Sequence, residues 1–136
     1  MKLRGLASGV AVVAVAATVA AMNVQAHRGA SGANVLQWYD LTAQSVAAAA
    51  LPEQVSQERI WAVAWLAAAR ATQPGHDPQY SEAAFASALH DTLVSLVPAK
   101  ASDLDAQLAA SLAAIPEGRQ KDSGQAAGQA EAQRVL

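Results

Sequence analysis

Three histidines, a Pro/Gly loop and a group of tryptophans are the residues of this chain whose chemistry could exceed a packing role. His76 lies in Pro74-Gly75-His76-Asp77, a setting compatible with a loop metal ligand or a phosphate-binding turn. No companion stands at metal-ligand spacing from it, so it reads as a solvated turn histidine. His90 precedes Asp91, one position off the Leu89 and Leu93 stripe, and reads as a helix-flank residue rather than a base. His27 would become the first residue of a chain cleaved after Ala26, where its amine and imidazole could together chelate copper. A copper brace of that kind needs another histidine held nearby on a rigid scaffold, usually a β-sandwich. Here the residue sits on a Gly/Ser stretch ahead of helices, which makes copper chelation the weaker alternative.

Trp38, Trp61 and Trp65, with Tyr39 and Tyr80, could line a ligand groove, but their helical spacing favours core or inter-helix packing. Gly124-x-x-x-Gly128 is a close-contact motif. Its Lys, Asp, Gln and Glu neighbours rule out a membrane dimer and leave tight soluble packing. Arg59 and Arg70 read as solvated or paired with carboxylates such as Glu58. No Gly-x-Ser-x-Gly elbow, Walker-type loop, His-Glu-x-x-His or paired-carboxylate pattern occurs. The sequence therefore offers no catalytic residue, no cofactor-binding residue and no metal site of its own.

The elements that would position these residues are set by Pro and Gly punctuation of an Ala-rich chain. A first helix is predicted over Val35–Ala50, N-capped by Asn34 and ended by Pro52, with Val35, Tyr39, Thr42, Val46 and Ala49 on its inner stripe. A second spans Val55–Thr72. Its stripes (Ile60, Val63, Ala64, Ala67 and Trp61, Trp65, Ala68) are wide enough to predict burial on more than one side. Gln73–Gln79 is a loop. Ser81 is the expected cap of a third helix carrying Phe85, Leu89, Leu93 and Leu96, and Pro98 stops it. Ser102 is the expected cap of a fourth, whose stripe is Leu104, Leu108, Leu112 and Ile115. Pro116-Glu117-Gly118 precedes the fifth, Lys121–Leu136, which has no closing Gly, Asn or Pro. The prediction is all-α: a helical bundle of about five helices, incomplete relative to a larger fold, with the second and fifth helices short of cover. That shortage predicts dye binding and self-association.

Residues 1–26 read as a signal peptide. Lys2 and Arg4 precede an apolar run from Val10 to Ala21, and Val24-Gln25-Ala26 suits signal peptidase. The rival is an uncleaved anchor over Leu6–Met22, weakened by its alanine content. Cleavage leaves 110 residues with seven Lys+Arg against eleven Asp+Glu, a formal charge of −4. Such a surface has no electrostatic footprint for nucleic acid. With no cysteine, stability must come from packing alone, as in a secreted or periplasmic bacterial protein rather than a disulfide scaffold. Residues 27–33 read as a flexible lead-in and 34–136 as the folded part.

From Asn34 onward the text resembles a known family. Val35-Leu36-Gln37-Trp38-Tyr39-Asp40, a Pro-containing turn and an Arg-led apolar helix look like the opening of bacterial vanadium-dependent haloperoxidase-type proteins, within the type-2 phosphatidic acid phosphatase group. The stretch from Leu93 through Pro98-Ala99, then Leu104-Asp105 to Ile115-Pro116-Glu117-Gly118 and a Gly-containing helix, is similar to theirs in the same order. The resemblance implies a mainly helical fold whose complete form binds vanadate and oxidises halides with peroxide, or hydrolyses phosphate esters. The family's oxyanion is held by Lys…Arg-Pro, Pro-Ser-Gly-His and Arg…His segments, where cations and a helix terminus neutralise the anion. None has a counterpart here. Trp65 stands where relatives carry His, and Ala69-Arg70 where they carry Tyr-Asp. The expectation is an N-terminal helical part lacking the vanadate or phosphate site, whose partner is a missing C-terminal catalytic half. The alternative is a small periplasmic module that binds a helical partner.

Overall fold

The computed structural model describes residues 32–50, 54–73 and 77–136, and Val35–Leu136 forms one compact unit. Residues 1–26, read above as a signal peptide, His27 and His76 lie outside the described residues. Five α-helices occur among the described residues, with no strand: α1 (32–48), α2 (Gln54–Ala71), α3 (Pro78–Leu96), α4 (Ala101–Ala113) and α5 (Arg119–Val135). The protein is all-α, as its periodicity predicts.

Three helix starts differ from expectation, those of α3 and α4 because a stronger local device acts upstream. Asn34 is not a cap, because α1 is already helical at residue 32. Ser81 lies inside α3. Asp77 is the cap, its carboxylate accepting from the Gln79 amide at 2.8 Å, and Pro78 takes the first helical position, where its missing N–H costs nothing. Ser102 lies inside α4, which is fed by a 3-10 turn, Pro98–Lys100. Lys100 Nζ pairs with Asp103 at 2.9 Å across that junction. α1 ends with Ala50 in the left-handed region, φ +48.

α3 is the central element. Its buried positions Ala83, Ala84, Ala86, Ser87, Ala88, Leu89, Thr92 and Leu93 point round nearly the whole helix, and α2, α4 and α5 pack on it. The core around it is mostly alanine, with Trp38, Ile60, Leu104 and the α3 leucines as its large members. Three buried hydroxyls are satisfied within their own helices: Thr42 donates to the Trp38 carbonyl, Ser45 to Leu41 and Thr92 to Ala88. The α1 stripe is rotated from the predicted one. Trp38, Thr42, Ser45 and Val46 are buried, whereas Val35 and Tyr39 are exposed.

The most extensive helix contact is α3 with α5. Gly124, Gly128 and Ala132 face it together with Lys121. A Cβ on Gly128 would meet the Ala84 carbonyl oxygen at 2.5 Å and the Ala88 nitrogen at 2.8 Å; one on Gly124 would overlap the Tyr80 carbonyl. These are backbone atoms and cannot step aside. The fifth helix is thus covered on its small-residue face. The under-cover predicted for α2 is visible instead in Val55 and Leu66, which are exposed.

Two stability predictions arise here. Gly128→Ala gains helix propensity of about 1 kcal/mol but forces the two backbones apart, so a net loss of about 1–3 kcal/mol is expected. Ala50→Gly removes Cβ strain at positive φ and should stabilise by about 0.5–1 kcal/mol. Urea denaturation midpoints of the two variants against the parent chain check both signs.

Candidate functional site

The three tryptophans separate into two environments. Trp38 is wholly buried, and its indole Nε1 donates to Ser111 Oγ at 3.1 Å, tying α1 to α4 across 73 residues of sequence. Gln107 on α4 donates to that hydroxyl at 3.3 Å and to Gln37 Oε1 at 3.1 Å. Trp61 and Trp65, four residues apart on α2, stack with ring centres 6.2 Å apart and meet Tyr39 of α1 at 4.9 and 6.2 Å. Phe85 of α3 closes the row edge-on to Trp65 at 5.7 Å. Inter-helix packing, the reading favoured for these rings, is what their geometry provides. Yet Tyr39 remains 52% exposed, and Leu36, one turn before it on α1, is 66% exposed. Trp65 Nε1 is buried with no acceptor among the described residues.

His90 is more engaged than a helix-flank position implies. Its side chain is 13% exposed, with Nδ1 2.7 Å from Asp91 Oδ1 and Nε2 2.8 Å from Asp105 Oδ1 of α4. The hydrogen bond to Asp91 raises its pKa most; burial opposes it, and the bond and charge of Asp105 add to the rise. With a carboxylate on each ring nitrogen, the imidazole has no lone pair to offer a substrate. The geometry is that of an ion-paired bridge, not a general base.

Two clefts border the helices. One, of about 410 Å³, lies between α1 and α4 and is lined by Gln37, Asp40, Leu41, Gln44, Asp103, Ala106 and Gln107. The other, of about 350 Å³, is lined by Ser56, Arg59, Ile60 and Leu96. The first carries two carboxylates, Asp40 and Asp103, which repel an oxyanion, beside the neutral amides of three glutamines; the second carries a single cation, Arg59. Among the described residues no group of three or more His, Asp or Glu is placed to hold a metal, and no helix is long and apolar enough to cross a membrane.

The described cations do not converge either. Lys100 pairs with Asp103, and Arg134 with Glu131. Lys121 is 5% exposed, with Nζ 2.5 Å from Glu117 Oε1 and 3.4 Å from the Ile115 carbonyl. Arg59 and Arg70 are exposed near opposite ends of α2, and Arg119 is exposed at the start of α5. Comparison with known proteins finds no matching family model, no matching curated protein and no matching solved structure. What fold and site define is an all-α bundle with an aromatic flank and a bridging histidine.

Sequence reasoning missed the Trp38–Ser111 tie and the His90–Asp105 contact, because each joins residues brought together only by helix packing. The adjacency of His90 and Asp91 was the one local signal. Ser111→Ala should leave the Trp38 indole N–H buried without its acceptor and cost about 1–3 kcal/mol. Urea denaturation followed by tryptophan fluorescence checks this, and an unchanged midpoint would refute the tie.

Proposed function

We propose that this chain is the N-terminal helical part of an exported vanadium haloperoxidase-like protein. Its role in that reading is to pack against a catalytic bundle and help position it, while the vanadate or phosphate site is supplied by that bundle. The observation that carries the reading is the aromatic and apolar flank of α1 and α2. Tyr39, Trp61 and Trp65 form a contiguous row, with Leu36, Val55 and Leu66 exposed on the same two helices. A flank of that composition gains free energy when covered. Support also comes from the ordered resemblance between Leu93 and Gly118, from the all-α fold and from the secretion-type start at Met1–Ala26.

The same flank favours a second reading, a periplasmic module that docks a separate helical protein. The two readings differ in what the natural gene encodes. The natural reading frame is expected to carry Lys…Arg-Pro and Pro-Ser-Gly-His segments beyond Leu136. Its full product should oxidise bromide with peroxide or cleave a phosphate ester in a vanadate-dependent or vanadate-inhibited manner, while residues 27–136 alone should do neither. A natural stop codon directly after Leu136 would overturn the first reading and leave the second.

A further inference from the structure

We infer that His90 and the two carboxylates it bridges form a proton-operated clasp holding the start of α4 against α3. A neutral imidazole has one N–H and one lone pair, and an ionised carboxylate only accepts. Both ring nitrogens of His90 face carboxylate oxygens, at 2.7 and 2.8 Å. Only the imidazolium can donate to both. Loss of its proton sets a nitrogen lone pair against a carboxylate oxygen at one of these contacts.

The contact that opens is the one to Asp105. Asp91 is the next residue along the same helix and stays beside the ring while α3 remains folded. Asp105 belongs to α4 and is 67% exposed at its side chain, so water can replace the histidine. Of the other polar contacts at that end, Lys100 with Asp103 lies within the turn and the first turn of α4, and Gln107 with Gln37 reaches α1 rather than α3. The charges acting on the ring among the described residues are Asp91 from its own helix and Asp105 from α4, and both favour the imidazolium. Asp103, Ala106 and Gln107, on the segment that would be released, line one wall of the α1–α4 cleft. Deprotonation therefore loosens that wall.

The sign follows from the raised pKa of the folded ring. Its contribution is complete below the ordinary imidazole value and is lost as pH rises through the higher value of the folded state. An imidazole NMR titration of the full chain tests this. His90 should titrate above about 6.5, and Asp105→Asn, a change at an exposed position, should lower its midpoint. In the parent chain, amide exchange at Leu104–Gln107 should accelerate above the midpoint by up to on the order of tenfold more than intrinsic chemistry predicts, with no such excess in His90→Gln. An unchanged His90 midpoint in Asp105→Asn would overturn the clasp. So would equal exchange excess in the parent and His90→Gln. Should His90→Gln fail to fold, the Asp105→Asn titration decides alone.

Discussion

The backbone-to-backbone approach of α3 and α5 is the constraint on which the remaining packing depends. α5 has little apolar surface of its own; between Arg119 and Val135 it is mostly Gln, Ala, Gly and charged residues. Burial of large side chains cannot hold such a helix. What holds it is proximity. Gly124 and Gly128 let its backbone reach the Tyr80 and Ala84 carbonyls, with Ser87 and Ala88 equally small beside them. At that separation many weak dispersion contacts form between the two backbones, and their sum replaces the missing hydrophobic area. Once α5 is seated, Lys121 is brought to the end of α4. There it donates to the Ile115 carbonyl and meets Glu117, placing positive charge at a helix C-terminus. Gly118, at φ +154 and ψ 174, makes the turn between them in a conformation essentially reserved for glycine.

The same constraint divides the molecule into a closed side and an open one. On the closed side α3 is packed by α5, α4 and α2, and its buried residues are alanine and leucine with Ser87 and Thr92, the latter bonded to the Ala88 carbonyl. At the rim of α3 His90 reaches α4 through Asp105, with Asp91 on its other ring nitrogen. On the open side, α1 and α2 present exposed rings and aliphatic side chains, Leu36, Tyr39, Val55 and Leu66, among charged residues such as Asp40, Arg59 and Arg70. The helix least apolar in sequence is thus well seated, while the more apolar α2 keeps an exposed flank. Seating depends on side-chain size at the contact more than on mean hydropathy.

This explains which parts of the fold were legible in the sequence. α2 and α3 were foreseen within a few residues from their apolar spacing and from Pro98, which follows the end of α3, whereas Pro78 breaks nothing and takes the first position of α3. The buried pattern Leu89, Leu93, Leu104 and Ile115 followed from spacing alone. The caps did not. Asn34, Ser81 and Ser102 are all favourable cap types, but cap preference contributes only about 1 kcal/mol, and Asp77-Pro78 and the 3-10 turn at Pro98 act first. The α1 register failed for a related reason. Tyr39 and Trp38 compete for the inner face, and the choice was made by Ser111, which offers the indole an acceptor from another helix. His90 was recognised as being off the leucine stripe, but its second carboxylate lies 15 residues away and enters only through packing.

Oxyanion chemistry needs several cations aimed at one point without their own counter-charges, because each neutralised cation contributes little to a bound anion. In this bundle Lys100, Lys121 and Arg134 already have carboxylate partners, while Arg59, Arg70 and Arg119 are dispersed over two helices. Gathering them would require undoing the junctions that set the helices in place. The surplus in this molecule is of a different kind. It has an aromatic row with water on one side, and a Trp65 indole N–H that finds no acceptor among the described residues. An orphaned donor of that sort costs on the order of 1–3 kcal/mol, and a rearranged side chain or an added carbonyl would recover it. Among the described residues the surplus is therefore apolar and aromatic side chain on α1 and α2 rather than unpaired cations aimed at one point.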